Sequence, residues 1–293
     1  MRLEGTYTAL VTPFRSDGSI DFESLSSLVE WQIESGIDGL VPCGSTGEAA
    51  TLSHAEDGSV VRFVVDVVAG RVPVIAGTGS NSTREAALRT SEAREAGADA
   101  ALLISPYYNK PMQNGIFLHY RSIAEESGLP LVLYNIPGRT SSRIEPDTTA
   151  RLSRVPGVIG LKEAGGDLDL TSQTIARSDE EFAVVSGDDA VTLPMLAIGA
   201  RGVISTTSNV APAEMAAITR AFRDGDVERA RRLHYELLPV MTALFSETNP
   251  IPAKTALQIL GRISDAALRL PLTEMQKGNR DQLEASLAGL GRA

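Results

Sequence analysis

Residues 158–166 read VIGLKEAGG, a short apolar run that ends at Lys162. An ammonium at the end of a buried strand is costly unless something pairs with it or uses it. Burial lowers a lysine's pKa, and a neutral amine attacks ketones to form a Schiff base. The competing explanation is an ion pair, or a stem that runs along apolar surface to water. Other polar residues with chemical potential follow similar apolar runs. CGSTGE holds Ser45, Thr46 and Glu48; SPYYNKP holds Tyr107, Tyr108 and Lys110; YNIPGRT holds Tyr134 and Arg139; SGDD and ISTTSN end two more runs. Imine chemistry needs a proton carrier, and Tyr134 can serve as one. Its alternative is a lining aromatic whose hydroxyl is satisfied elsewhere. Gly44 and Gly47 leave backbone N–H groups open to a carboxylate, although no GK[ST] follows and the turn is not a Walker motif. Arg139 has the forked geometry that grips a carboxylate; taken singly it is equally a solvated loop residue.

The elements that must position these residues are legible as a repeat. Eight Val/Ile/Leu-rich runs span 6–12, 39–44, 72–79, 100–106, 130–137, 158–164, 182–188 and 202–208. They are continuous rather than alternating, as expected for parallel strands covered on both faces. Between them lie helical patterns. Residues 21–35 place Phe22, Leu25, Leu28, Val29 and Ile33 near one face, with Asp21 as N-cap and Gly36 as stop. Residues 82–97, 188–199 and 211–223 read as further helices. Eight βα units predict a (β/α)8 TIM barrel over 1–223, a doubly wound open sheet being the alternative. Residues 224–293 contain no strand pattern and read as a C-terminal region of three helices, at 226–247, 252–260 and 280–290. In such a barrel the reactive side chains sit at the carboxyl ends of the strands, where all the polar groups above fall.

The totals narrow the function classes. The chain has 293 residues with a formal charge of −10 and no long basic run, which argues against a nucleic-acid or anionic-membrane surface. An anionic ligand therefore needs a local cluster of positive groups. A single cysteine, Cys43, excludes an intrachain disulfide, and the three histidines show no zinc spacing. Neither a signal peptide nor an apolar run long enough for a membrane helix is visible, so the expectation is a cytoplasmic protein with no metal. His119, His234 and Trp31 are read as packing or surface residues of helices, and Cys43 as a small buried filler. Asp188 and Asp189 are read as caps of the helix that follows, contact with a substrate being the alternative.

CGSTGEAATL, GTGSNST, SPYYNKP, YNIPGRT, GLKEA, SGDD, GVISTTSNVAP and TNPIPAK together resemble the dihydrodipicolinate (4-hydroxy-tetrahydrodipicolinate) synthases. These are pyruvate-dependent class I aldolases of lysine and diaminopimelate biosynthesis, and the resemblance is colinear from residue 5 to about 275. N-acetylneuraminate lyase and other 2-keto acid aldolases share the barrel, the lysine and the turn. The resemblance implies that Lys162 forms a Schiff base with pyruvate, with Tyr134 as proton donor and acceptor. Thr46 and the 44–47 backbone would bind the pyruvate carboxylate, and the Ile204 carbonyl would line the pocket. Ser45 would relay protons between Tyr134 and Tyr108, the latter reaching across a tight dimer within a homotetramer. Arg139 would hold the carboxylate of L-aspartate 4-semialdehyde. No metal or organic cofactor is implied.

Two departures from the family pattern stand out. Ser45 replaces the usual threonine and matches the lyases, whereas Arg139 matches the synthases. The alternatives left open are a 2-keto-3-deoxy sugar acid or N-acetylneuraminate type aldolase, and, more remotely, a non-catalytic ligand-binding barrel. In lysine-inhibited relatives the effector site corresponds to Ala49, His54, Asp57, Asn81, Glu85 and Tyr107. Of these, Ala49 and Asp57 depart from the inhibited pattern.

Overall fold

The computed structural model describes residues 1–291. Eight strands run β1 (Gly5–Ala9), β2 (Gly39–Val41), β3 (Ile75–Gly77), β4 (Ala100–Ile104), β5 (Leu131–Asn135), β6 (Val158–Glu163), β7 (Ala183–Ser186) and β8 (Gly202–Ser205). All pair in parallel, in the order β2-β1-β8-β7-β6-β5-β4-β3. A parallel bridge from Leu40 to Val74 joins the two ends, so the sheet closes on itself. Helices alternate with the strands, and this is the (β/α)8 barrel that the eight apolar runs predict.

The strand sequences are apolar throughout because both faces are buried, against different partners. Tyr7, Ala9, Val41, Ile75, Ala100, Leu102, Val132, Tyr134, Val185 and Ile204 form the cluster inside the barrel. Their neighbours Leu40, Ala76, Ala101, Leu103, Leu131, Leu133, Leu161 and Val184 belong to the outer cluster, packed under the helices. Side chains alternate in a strand, so each run supplies both layers.

Most strands are shorter than their apolar runs. The surplus residues, such as 10–12, 42–44 and 206–208, form the loops at the carboxyl ends, which is where the polar groups sit. Helix Phe22–Glu34 is capped by Asp21, whose carboxylate accepts from Ser24 N at 3.2 Å. The expected helix over 188–199 is divided into a 3₁₀ turn, Asp189–Val191, and a short helix, Thr192–Ala197. Trp31 is half-buried against the core with the Arg262 guanidinium 4.2 Å over its ring. His119 and His234 are buried packing residues, and Cys43 is buried and unbridged.

The C-terminal region forms helices Val227–Ala243, Ile251–Ile259 and Lys277–Gly289. Leu237, Met241, Leu244, Ala253, Leu257 and Leu283 join the same outer cluster as the barrel helices. These helices therefore share one hydrophobic layer with the barrel, and they bring Asn249 and Lys254 to its reactive rim.

Candidate active site

Lys162 and Tyr134 are register partners on β6 and β5, directly opposite one another at the carboxyl ends of the strands. The Lys162 ammonium lies 4.4 Å from the centre of the Tyr134 ring. Lys162 is 5% exposed, and no carboxylate among the described residues meets it at ion-pair distance. Burial pushes its pKa down to about 8; Asp189 opposes that shift and Arg139 reinforces it. Gly187, at the end of β7, lets the lysine stem lie flat: a Cβ there would come within 2.8 Å of Lys162 Cε. Burial also pushes the Tyr134 phenol up to about 12, against the Arg139 charge and a hydrogen bond with the Ser45 side chain. Tyr134 is therefore a neutral hydroxyl at physiological pH, and Ser45 is its contact.

Ser45 and Thr46 sit in a turn bracketed by Cys43 and Glu48, both with φ 55. Left-handed conformations cost non-glycine residues roughly 1–2 kcal/mol, so contacts outside the turn must hold it. Gly77 contributes by absence, since a Cβ there would overlap the Cys43 carbonyl. Thr46 is buried; its Oγ1 accepts from Asn249 Nδ2 at 2.9 Å and lies 3.4 Å from Thr206 Oγ1. The carbonyl of Asn249 in turn accepts from Arg139 at 3.1 Å. Arg139 occupies a single-turn helix, Pro137–Thr140, right after β5.

A cavity of about 340 Å³ opens in front of these groups. Ser45, Glu48, Ala49, Tyr107, Tyr134, Arg139 and Asn249 are among the residues that line it. Lys162 is not among the lining residues; its ammonium lies against the ring of Tyr134, which is. Ile204 is buried in β8 opposite Tyr7, in the inner layer. Tyr108 is not brought to the cavity: it is 89% exposed with φ 70, and Met112 beside it is 82% exposed.

The effector candidates fall into two small groups. His54 Nε2 lies 2.9 Å from Glu85 Oε1, and Ser80 Oγ donates to the other Glu85 oxygen at 3.1 Å. Asn81 Nδ2 donates to the Tyr107 carbonyl at 3.2 Å. Asp57 lines a small pocket together with His54 but is committed to a buried ion pair with Arg89.

Several residues acquire a place here that their local sequence did not indicate. Asp188 caps the 3₁₀ turn as expected, accepting from Ala190 N at 3.1 Å. Asp189 does not cap. It is 1% exposed, and its Oδ2 accepts from Thr206 N, Thr207 N and Thr207 Oγ1 at 3.1, 2.8 and 2.7 Å. It thus fixes the loop after β8 and puts a negative charge near Lys162. Asn249 and Lys254 were visible only as letters of TNPIPAK, with no signal of their partners some 200 residues away. Among the described residues no group of three or more His, Cys, Asp or Glu is placed to hold a metal ion, and no helix is long and apolar enough to cross a membrane.

Comparison with known proteins agrees with this geometry. A family model described as the dihydrodipicolinate synthetase family matches residues 2–289. A 4-hydroxy-tetrahydrodipicolinate synthase of Nitratidesulfovibrio vulgaris strain DP4 is 54% identical over 292 residues, covering 99% of each chain. One from Thermodesulfovibrio yellowstonii is 50% identical over 288 residues, covering 98% of each. The crystal structure of dihydrodipicolinate synthase from Aquifex aeolicus superposes with a TM-score of 0.97 at 44% identity, covering 99% of each chain. That from Thermotoga maritima gives 0.98 at 39% identity over the whole of both chains. With full-length matches of this kind on a barrel whose rim presents Lys162 beside Tyr134, the chain belongs to the dihydrodipicolinate synthetase family.

Proposed function

We propose that this enzyme, a lyase of the Schiff-base aldolase type, condenses pyruvate with L-aspartate 4-semialdehyde to give 4-hydroxy-tetrahydrodipicolinate. The observation that carries the reading is the buried Lys162 amine, its pKa pushed down to about 8, against the face of a neutral tyrosine.

The unprotonated Lys162 amine attacks C2 of pyruvate. Tyr134 hands a proton to the carbinolamine oxygen, water leaves, and the imine forms. Loss of a methyl proton then gives the enamine, with the protonated imine nitrogen as electron sink. The enamine carbon attacks the aldehyde carbon of the second substrate, whose oxygen takes up a proton. The substrate's amino group then adds to the imine carbon and expels Lys162, closing the ring. Thr46 and the 44–47 backbone receive the pyruvate carboxylate, the Ile204 carbonyl lines that pocket, and Arg139 receives the carboxylate of the semialdehyde. Ser45 passes protons from Tyr134 toward Tyr108 of a neighbouring subunit, in a homotetramer built from two tight dimers. We assign the reaction no metal or organic cofactor, the imine nitrogen serving as the electron sink. We place the reaction in the cytoplasm, where a lone buried Cys43 suits a reducing environment.

Borohydride reduction in the presence of pyruvate should leave a pyruvyl adduct on Lys162, found by peptide mass. No adduct there would refute the Schiff base. An assay with aspartate semialdehyde, coupled to a dihydrodipicolinate reductase, should show turnover. Arg139→Ala should raise KM for the semialdehyde by about tenfold or more, as expected for losing hydrogen bonds to a charged group.

A further inference from the structure

The 43–51 turn is held from far away in the chain. Glu48 is buried, and its Oε1 lies 2.5 Å from Lys254 Nζ. Its Oε2 accepts from Arg269 N at 3.2 Å. Lys254 is fully buried, donates to the Ala267 carbonyl at 2.8 Å, and has its ammonium 3.9 Å over the Phe14 ring. The Arg269 side chain donates to the Thr51 carbonyl at 2.9 Å and the Gly18 carbonyl at 2.8 Å, and pairs with Glu56 at 2.5 Å. Loops after β1 and β2 and the C-terminal region therefore converge on one ion pair. Lys254 belongs to helix Ile251–Ile259, which begins just after Asn249, the residue bonded to Thr46 and Arg139.

Stability is a weak reason for such a pair. Desolvating two charges offsets most of their attraction, and an apolar pair of similar volume often stabilises a fold as well or better. Geometry is a stronger reason. Glu48 sits in the left-handed region at φ 55, three residues after Ser45 and two after Thr46. A side chain anchored at its far end keeps that backbone from relaxing.

We propose that the Glu48–Lys254 pair positions the substrate-binding turn: it locks residues 43–51 to the helix behind Asn249, so that Ser45, Thr46 and Arg139 keep one mutual geometry. Glu48 lines the cavity and Lys254 does not, and neither is assigned a contact with the reacting atoms. The proposal rests on the roles given above to Ser45, Thr46 and Lys162.

The test compares the intact protein with Lys254→Met, Glu48→Gln and the double variant. Glu48→Gln is the gentle member. It keeps the shape and, with the carboxylate gone, leaves Lys254 free to shed a proton, since burial already pushes it down to about 8. Steady-state constants, the borohydride adduct and the thermal midpoint are read together. The expected result is a folded protein that still forms the adduct at saturating pyruvate, with KM for pyruvate raised about tenfold or more and kcat reduced, as for a small misplacement of binding groups. The double variant should show the KM of Lys254→Met, because the link is lost only once, even where its thermal midpoint recovers. Wild-type KM and kcat with only a lowered midpoint would make the pair a purely structural one and overturn the proposal. If Lys254→Met does not fold, Glu48→Gln and the double variant decide by the same constants. Should the wild type form no pyruvyl adduct, the functional reading has failed rather than the positioning one. Amide exchange then decides: faster exchange over 43–51 in Glu48→Gln supports the link, and unchanged exchange refutes it.

Discussion

Lys162 illustrates how opposing terms set one residue's chemistry. Burial favours the neutral amine, Asp189 favours the ammonium and Arg139 disfavours it; burial wins and leaves the pKa at about 8. The reaction with pyruvate needs the neutral form, so kcat/KM for pyruvate should rise with pH through about 8 and level off above it. Asp189→Asn keeps an acceptor for Thr206 and Thr207 but removes a negative charge. The amine then deprotonates more readily, and the rising limb should move to lower pH. A limb that stayed in place or moved up would contradict the Asp189 contribution. The residue types at this site were readable from the sequence, since a lysine after an apolar run and a tyrosine after another are local facts. The role of Asp189 was not, because the second carboxylate of SGDD caps a helix as readily as it binds a loop.

At the scale of elements, the helix His54–Val68 joins local and long-range constraints. Ser53 and Glu56 form a capping box: Ser53 Oγ accepts from Glu56 N at 3.3 Å, and Glu56 Oε2 accepts from Ser53 N at 2.8 Å. The same carboxylate binds Arg269, which holds its pKa down at about 2. Ser53→Ala should cost about 1 kcal/mol. For a chain of this size that lowers the thermal midpoint by roughly 2–4 °C in a melt followed by circular dichroism. KM for pyruvate should stay unchanged, since Glu48 and Lys254 are untouched. A raised KM would show that the cap, too, supports the turn. Strand and helix order was legible from the apolar runs and their punctuation. The exact strand ends were not, because the apolar runs continue into loops that are buried as well, such as Leu10 and Val11.

At the scale of the molecule, a chain with a net charge of −10 places two guanidinium groups, Arg89 and Arg139, on the wall of one cavity, with Lys254 paired to the Glu48 that also lines it. Arg89 is matched by Asp57 and Lys254 by Glu48, while among the described residues Arg139 meets only a carbonyl. A lone guanidinium on the wall is what an incoming carboxylate needs. Assembly is the second property at this scale. Tyr108 and Met112 expose large apolar surfaces close in sequence to Tyr107, which lines the cavity. If Tyr108 completes a neighbouring site, sedimentation should give about four times the 31.1 kDa of one chain. Met112→Asp should then weaken the assembly and lower kcat together, by desolvating an unpaired charge at the contact. Dissociation with full activity would separate Tyr108 from the proton relay.

The sequence by itself determined the number and order of the βα units, local caps such as Asp21, and the kinds of side chain at each strand end. These depend on neighbours a few residues away. Tertiary structure alone decided which layer each strand residue joins. In a continuous apolar strand both faces are buried, so the sequence does not show whether Lys162 points into the barrel or out to the helices. Register with β5 and closure between β2 and β3 settle it, placing Lys162 beside Tyr134. The same holds for Thr46 with Asn249 and Glu48 with Lys254, pairs more than 200 positions apart that meet only because the C-terminal helices fold back onto the barrel rim.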